Sequence, residues 1–304
     1  MKKSLVSAAA LAALVLGTAA HAGPVIIDGT DANDHGFTSG GVNVDGWLYM
    51  QRAFENLGSS VSPTAAKVIT VLGTAAGQGQ AYNAIDSAFN KSLLLAGGWT
   101  IEYKNGAAAI GAALDSLSTS TTGILHMSTC GLSSGDMDAG ELAAINTRSA
   151  QINSFVGGAG NPAAGGALFS MGQSCTGEYD WLSALISGIT STDIGSGGTG
   201  SNISLTGAGT AAFPGLTNAD LAGADPWHGY FSGNLGGLSI LGTAAFGGQQ
   251  RAVIIGGGAG TVLQCGQPGQ IPCPTVPEPG SLLLVATAVL GLRVAAARRQ
   301  GARA

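Results

Sequence analysis

The chain of 304 residues is 45% hydrophobic and 10% charged, and 51 of its residues, about one in six, are glycine. That composition excludes a charged disordered tail, a coiled coil and a collagen, because disorder needs charge without apolar mass and collagen needs strict glycine periodicity. Six Lys and Arg stand against sixteen Asp and Glu between residues 23 and 277, a net −10, so the surface offers no basic stripe and nucleic acid is not an expected partner.

Residues 1–22 read as a secretory signal: Lys2 and Lys3, an apolar run from Leu5 to Leu16, then Ala20-His21-Ala22 as a small-x-small cleavage site. The run is shorter than the ~20 residues that span a bilayer, so cleavage after Ala22 by signal peptidase, following passage through the Sec machinery, is the expectation. From Gly23 onward, short β-rich runs alternate with amphipathic windows. Pro24 to Ile27 is a strand candidate and leads into a polar loop ending at His35 and Gly36. Trp47, Met50, Phe54 and Leu57 recur at helical spacing with Gly58 as a stop. Lys67 to Leu72 reads as a strand, and Ala81, Ile85, Phe89 and Leu93 give a second helical face. Trp99 to Tyr103 (strand), Ala107 to Leu117 (helix) and Gly123 to Met127 (strand) follow. A helix over Ala139 to Val156 and a strand over Ala167 to Met171 complete the series, and Glu178 and Asp180 read as the start of a further helix, where their charge complements its dipole. Alternation of this kind predicts an α/β fold: an open, mostly parallel sheet flanked by helices, Rossmann-like or flavodoxin-like. Beyond Gly188 helical periodicity is lost. The runs Leu238 to Leu241 and Ala252 to Ile255 are expected as strands at the sheet edge or in a small Gly-rich, β-containing extension.

Several residue groups could carry chemistry. Asp28, Asp31, Asn33, Asp34 and His35 concentrate oxygen ligands in eight residues. Such a set suits a hard cation such as calcium, although an EF-hand count from Asp31 puts Val42 where the bidentate acid belongs, and Asx turns are the other reading. No other cofactor is expected. Asp225, Trp227, His228 and Tyr230 bring a carboxylate, an imidazole and aromatic faces suited to sugar rings into one loop. His35 and His126 fall at predicted strand ends, where open α/β sheets collect ligands. The candidates for acid–base chemistry are therefore His35, His126, Asp225 and His228, those for ligand contact Trp227 and Tyr230, and those for a metal Asp28, Asp31, Asn33 and Asp34. Four cysteines without CxxC spacing read as bridges. Cys265 and Cys273 are close enough for a local loop, which leaves Cys130 with Cys175, although sequence alone permits three pairings.

The C-terminal end orders Val276-Pro277-Glu278-Pro279, an apolar segment from Ser281 to Ala297 interrupted by Arg293, and the basic cluster Arg298, Arg299 and Arg303. Apolar residues followed by arginines predict a transmembrane helix with a cytoplasmic C-terminus. This arrangement closely resembles the PEP-CTERM sorting signal of Gram-negative bacteria. The resemblance implies an exosortase-like processing enzyme as partner, a transient C-terminal membrane anchor, delivery to the cell surface or extracellular matrix, and association with exopolysaccharide and biofilm. The stretch from Gly123 through Met171 loosely resembles the class I glutamine amidotransferase-like fold, on Phe155-Val156-Gly157-Gly158 and Gly165-Gly166-Ala167-Leu168-Phe169. That family places a cysteine at a tight elbow after the later strand, whereas here Cys175 lies further past it.

The expected organisation is a signal peptide (1–22), an α/β domain (23–190), a Gly-rich extension of the same domain (191–262), a linker with a cysteine pair (263–275), a sorting signal with a transmembrane helix (276–299) and a cytoplasmic tail (300–304). The expected function is that of an exported binding or structural component of a polysaccharide matrix. The alternatives are a hydrolase or amidotransferase-like enzyme using a strand-end crevice near Asp31, His35, His126 and His228, or a degenerate enzyme fold kept for ligand binding.

Overall fold

A computed structural model describes residues 23–131, 135–157, 165–173, 175–195, 202–222 and 227–257. Chain order runs β1 (Val25–Asp28), β2 (Gly36–Ser39), β3 (Val42–Asp45), α1 (Gly46–Ser60), β4 (Val68–Leu72), α2 (Gly79–Asn90), α3 (Leu93–Ala96), β5 (Thr100–Lys104), α4 (Ala107–Asp115), β6 (Ile124–Met127), α5 (Ala139–Asn146), α6 (Ser149–Val156) and β7 (Ala167–Ser170). The second half adds α7 (Leu182–Leu185), β8 (Ile189–Asp193), β9 (Ser204–Leu205), α8 (Gly207–Ala212), β10 (Gly229–Gly233), β11 (Ser239–Phe246) and β12 (Gln249–Gly257).

The main sheet has the order β5-β4-β6-β7-β1-β12-β10-β8, with β11 and β9 attached beside β12. Its first half is parallel, as the alternation of strands and helices requires. Its central strands are buried on both faces, and the pleat divides their side chains between two cores. Ile26, Val71 and Ile254 face the core under α1 and α2, whereas Ile27, Leu72 and Ile255 face the one under α4, α5 and α6.

The expectation of a mostly parallel sheet is corrected here, because β1–β12, β12–β10, β10–β8 and β11–β12 all pair antiparallel. The cause is local. No helix separates β11 from β12, and Gly247 and Gly248, at φ +60° and +75°, close a two-residue turn that can only return the chain antiparallel. Nor is β12 at an edge. Four nearly unexposed residues, Val253 to Ile255 with Ala252, seat it at the centre beside β1. The sheet is thus open, mixed and flanked by helices.

The membrane-spanning helix is also corrected. Among the described residues no helix is long and apolar enough to cross a membrane, and the segment 281–297 on which that expectation was placed lies outside them. A membrane anchor is therefore not retained as a stage of localisation.

Smaller differences have equally local reasons. The expected helix over 139–156 is two helices. The first starts on a capping box in which Asp138 Oδ1 accepts from Glu141 N and Glu141 Oε2 accepts from Asp138 N, each at 2.8 Å. It ends where Thr147 turns its hydroxyl back to the Ala143 carbonyl at 3.0 Å. Gly58 does not stop α1. It lies inside the helix, where an added Cβ would come within 2.4 Å of Leu94 Cδ2. Leu93 leaves the face of α2 for α3, which is capped by the Ser92 hydroxyl.

Candidate functional site

The C-terminal ends of β1, β6 and β7 converge, as ligand-bearing crevices do in open α/β sheets. The loop after β1 begins with Asp28, which is fully buried: Oδ1 accepts from Thr30 N at 2.9 Å and Thr30 Oγ1 at 2.7 Å, and Oδ2 from the Tyr49 hydroxyl at 2.6 Å. Burial pushes its pKa up to about 7, against the pull of those donors. Asp28 thus belongs to the core beneath the site.

Asp31 is built differently. Its Oδ2 lies 2.9 Å from His228 Nε2 and 3.1 Å from His35 Nε2, so one carboxylate oxygen joins two imidazoles that are 193 positions apart in the chain. Burial works to raise the Asp31 pKa, but the two histidines outweigh it and the carboxyl is lowered. His35 is raised by its bond to Asp31. Burial lowers His228, yet Asp31 carries it upward overall. The second ring nitrogen of His228, Nδ1, is 2.8 Å from the Gly195 carbonyl. Both nitrogens therefore face acceptors, and both bonds form only when both carry protons, as an imidazolium.

Backbone pairing places His228. The amides of His228 and Gly229 both donate to the Gly29 carbonyl, at 2.7 and 3.1 Å, which ties the start of β10 to the end of β1. The approach is close enough that a Cβ on Gly29 would stand 2.1 Å from the Gly229 carbonyl oxygen.

Around this centre, Gln173 Nε2 donates to Asp34 Oδ2 at 3.2 Å and reaches Asp31 Oδ2 at 3.4 Å. Asn33 Nδ2 donates to Thr129 Oγ1 at 3.0 Å and to Asp136 Oδ1 at 3.2 Å. Asp31 Oδ1, Asn33 Oδ1 and Gln173 Oε1 are buried acceptors without a hydrogen-bond partner. The metal expectation spread over Asp28, Asp31, Asn33 and Asp34 does not find a preformed site. Asp28 is turned to Tyr49 and Thr30, and among the described residues no group of three or more His, Cys, Asp or Glu is arranged to hold a metal ion.

His228 forms one wall of a cleft of about 180 Å³. Gln173, Glu178, Tyr179, Asp180, Ser191 and Asp193 also line it. Sequence reasoning missed Gln173 and gave Glu178 to a helix terminus. In the fold, Glu178 sits in a turn and its Oε1 accepts the amides of Cys130 at 3.0 Å and Gln173 at 3.1 Å. Burial raises its pKa to about 8, with Asp193 and Asp136 adding to the effect. The only sequence signal was its nearness to Cys175, which is bonded to Cys130 and so fastens the loop after β6 to the turn that carries Glu178. Cys265 and Cys273 lie outside the described residues.

The other candidates fall elsewhere. His126 is fully buried between Phe54 and Phe169, and burial drives its pKa down to about 3, so it serves the core. Trp227 is likewise unexposed and packs edge-on against Phe246, which removes it as a sugar platform. Tyr230 is half-buried under the Arg251 guanidinium, 4.8 Å from the ring centre. Asp225 lies outside the described residues. The site is therefore Asp31 with His35 and His228, beside an acidic cleft.

The PEP-CTERM protein-sorting motif matches residues 275–300, which include Pro277, Glu278, Pro279, Arg298 and Arg299 and lie outside the described residues. The motif marks an exported chain handled by an exosortase-type system, consistent with sorting to the cell surface. No curated protein and no solved structure matches the chain.

Proposed function

We propose that this exported chain is a binding component of an extracellular polysaccharide matrix, and that the cleft beside His228 holds a saccharide. The observation that carries this reading is the fixed imidazole of His228, held by Asp31 and the Gly195 carbonyl, on the wall of a cleft whose other polar groups converge from separate elements. Few convergent polar groups at strand ends are what a small-ligand site needs. Export by the Sec machinery, cleavage after Ala22 and association with exopolysaccharide belong to the same reading, which the sorting motif supports.

A second reading, hydrolysis, is favoured by one observation: Glu178, which keeps its proton to about pH 8, and an imidazolium face the same cleft, so both could donate to a leaving group. Amidotransferase chemistry has no such support, because Cys175 is held in a disulfide and supplies no thiolate.

The test is to incubate the secreted chain with soluble matrix polysaccharide and to measure both retention and release of new reducing ends. Retention without cleavage, weakened about tenfold or more in His228→Ala, is the expected outcome. New reducing ends would select hydrolysis, and a chain that holds no polysaccharide at all would sink the binding reading.

A further inference from the structure

The lining of the cleft is rich in acceptors. Glu178, Asp180 and Asp193 contribute three carboxyl groups, and no Lys or Arg is among its described lining residues. Its one cationic group, His228, is already met from behind by Asp31 at 2.9 Å. Gln173 adds an independent observation. The residue is only 9% exposed, its amide nitrogen is committed to Asp34 and Asp31, and its Oε1 is buried without a donor. A buried acceptor left unpaired costs about 1–3 kcal/mol, a penalty that a ligand N–H would remove. The fold has thus gathered acceptors from β8, from the loop after β7 and from the turn after Cys175 without providing donors for them.

Charge and size narrow the ligand. A carboxylated or phosphorylated sugar would bring a like charge to these carboxylates in a domain that is already strongly acidic. An ammonium presents three donors and no acceptor. The cleft, at about 180 Å³, is smaller than the roughly 300–1,000 Å³ of sites for drug-sized molecules, so it takes one terminal ring. We propose that the group bound beside His228 is a primary ammonium flanked by hydroxyls, the end of an aminated saccharide. This inference rests on the saccharide reading above and gives it a ligand class.

The secreted chain would be titrated calorimetrically with glucosamine, N-acetylglucosamine and glucuronate oligomers of equal length, and with a lysine-rich peptide. The expected result is binding of the glucosamine oligomer, at least tenfold weaker binding of the acetylated one, and none of the uronate. Asp193→Asn is the matched variant: Asp193 is exposed, and asparagine can still accept the Gly195 amide that Asp193 Oδ1 now accepts at 2.7 Å. It should weaken the glucosamine oligomer by about tenfold, the loss expected of one charge-assisted bond. Equal affinity for the acetylated and free-amine oligomers, or an unchanged Asp193→Asn, overturns the inference and leaves saccharide binding standing. Preference for the lysine peptide over every oligomer also overturns it. If no oligomer binds, both the inference and the saccharide reading fail.

Discussion

Asp28 and Asp31 stand three residues apart at the end of one strand, and the fold gives them opposite protonation. Asp28 meets hydroxyls and an amide in a dry core and keeps its proton to about pH 7, whereas Asp31 meets two imidazoles and gives its proton up. The difference comes from His228, delivered from the far end of the sequence by the Gly29–Gly229 contact, so no window around the loop could reveal it. Replacing Asp31 by Asn removes the counter-charge of a buried imidazolium. The His228 pKa should fall, and the chain should lose about 3 kcal/mol, the cost of leaving one partner of a buried pair alone. Titration of the His228 ring by NMR, together with urea unfolding, checks both; an unmoved imidazole would show that Asp31 does not hold it.

Single elements differed in how far they could be read. The parallel strands were legible because strands covered on both faces become continuous apolar runs, such as Val68–Leu72. The hairpin of β2 and β3 was missed although it carried a signal: Gly40-Gly41, with φ +58° and +86°, between two short alternating runs. The central place of β12 had no such local mark, since its partners β1 and β10 are remote in sequence. Of the site, the Asp31–His35 pair was visible as a loop cluster. Gln173 and Glu178 were not, because their roles depend on which loop the bridge between Cys130 and Cys175 fastens. That bridge closes a separation of 45 residues. The double variant Cys130→Ser/Cys175→Ser should lose about 2–4 kcal/mol on the loop-entropy account, with Glu178 and Gln173 loosened first. Hydrogen exchange at the amides of Cys130 and Gln173 follows this directly, and protection equal to wild type would contradict it.

Across the whole molecule the titrating groups set a direction. Asp28 and Glu178 release protons at about pH 7 and about pH 8 when folded, against 3.8 and 4.5 when unfolded, so the stability they contribute is complete below the lower values and lost as pH rises through the upper ones. His35 and His228, raised above 6.5, act in the same sense at higher pH. His126, buried and neutral with a pKa of about 3, opposes them: its contribution is present above 6.5 and lost as pH falls. Asp31, lowered from 3.8, adds a loss only at still lower pH. Between about pH 5.5 and 8 the groups favouring low pH outnumber the one opposing them, so the melting temperature should be higher at pH 5.5 than at pH 8. Calorimetric scans at the two values decide it, and the reverse order would mean that these carboxyls are charged in the folded chain. One consequence of the register follows at this scale. Val25 lies opposite Gly257, so the polypeptide enters and leaves its central strands at the same pole of the sheet, while Asp31 and His228 occupy the other pole, beyond Asp28. A chain held by either terminus is gripped at the far side from its cleft, which leaves the mouth of that cleft pointing outward, unshadowed by the attachment.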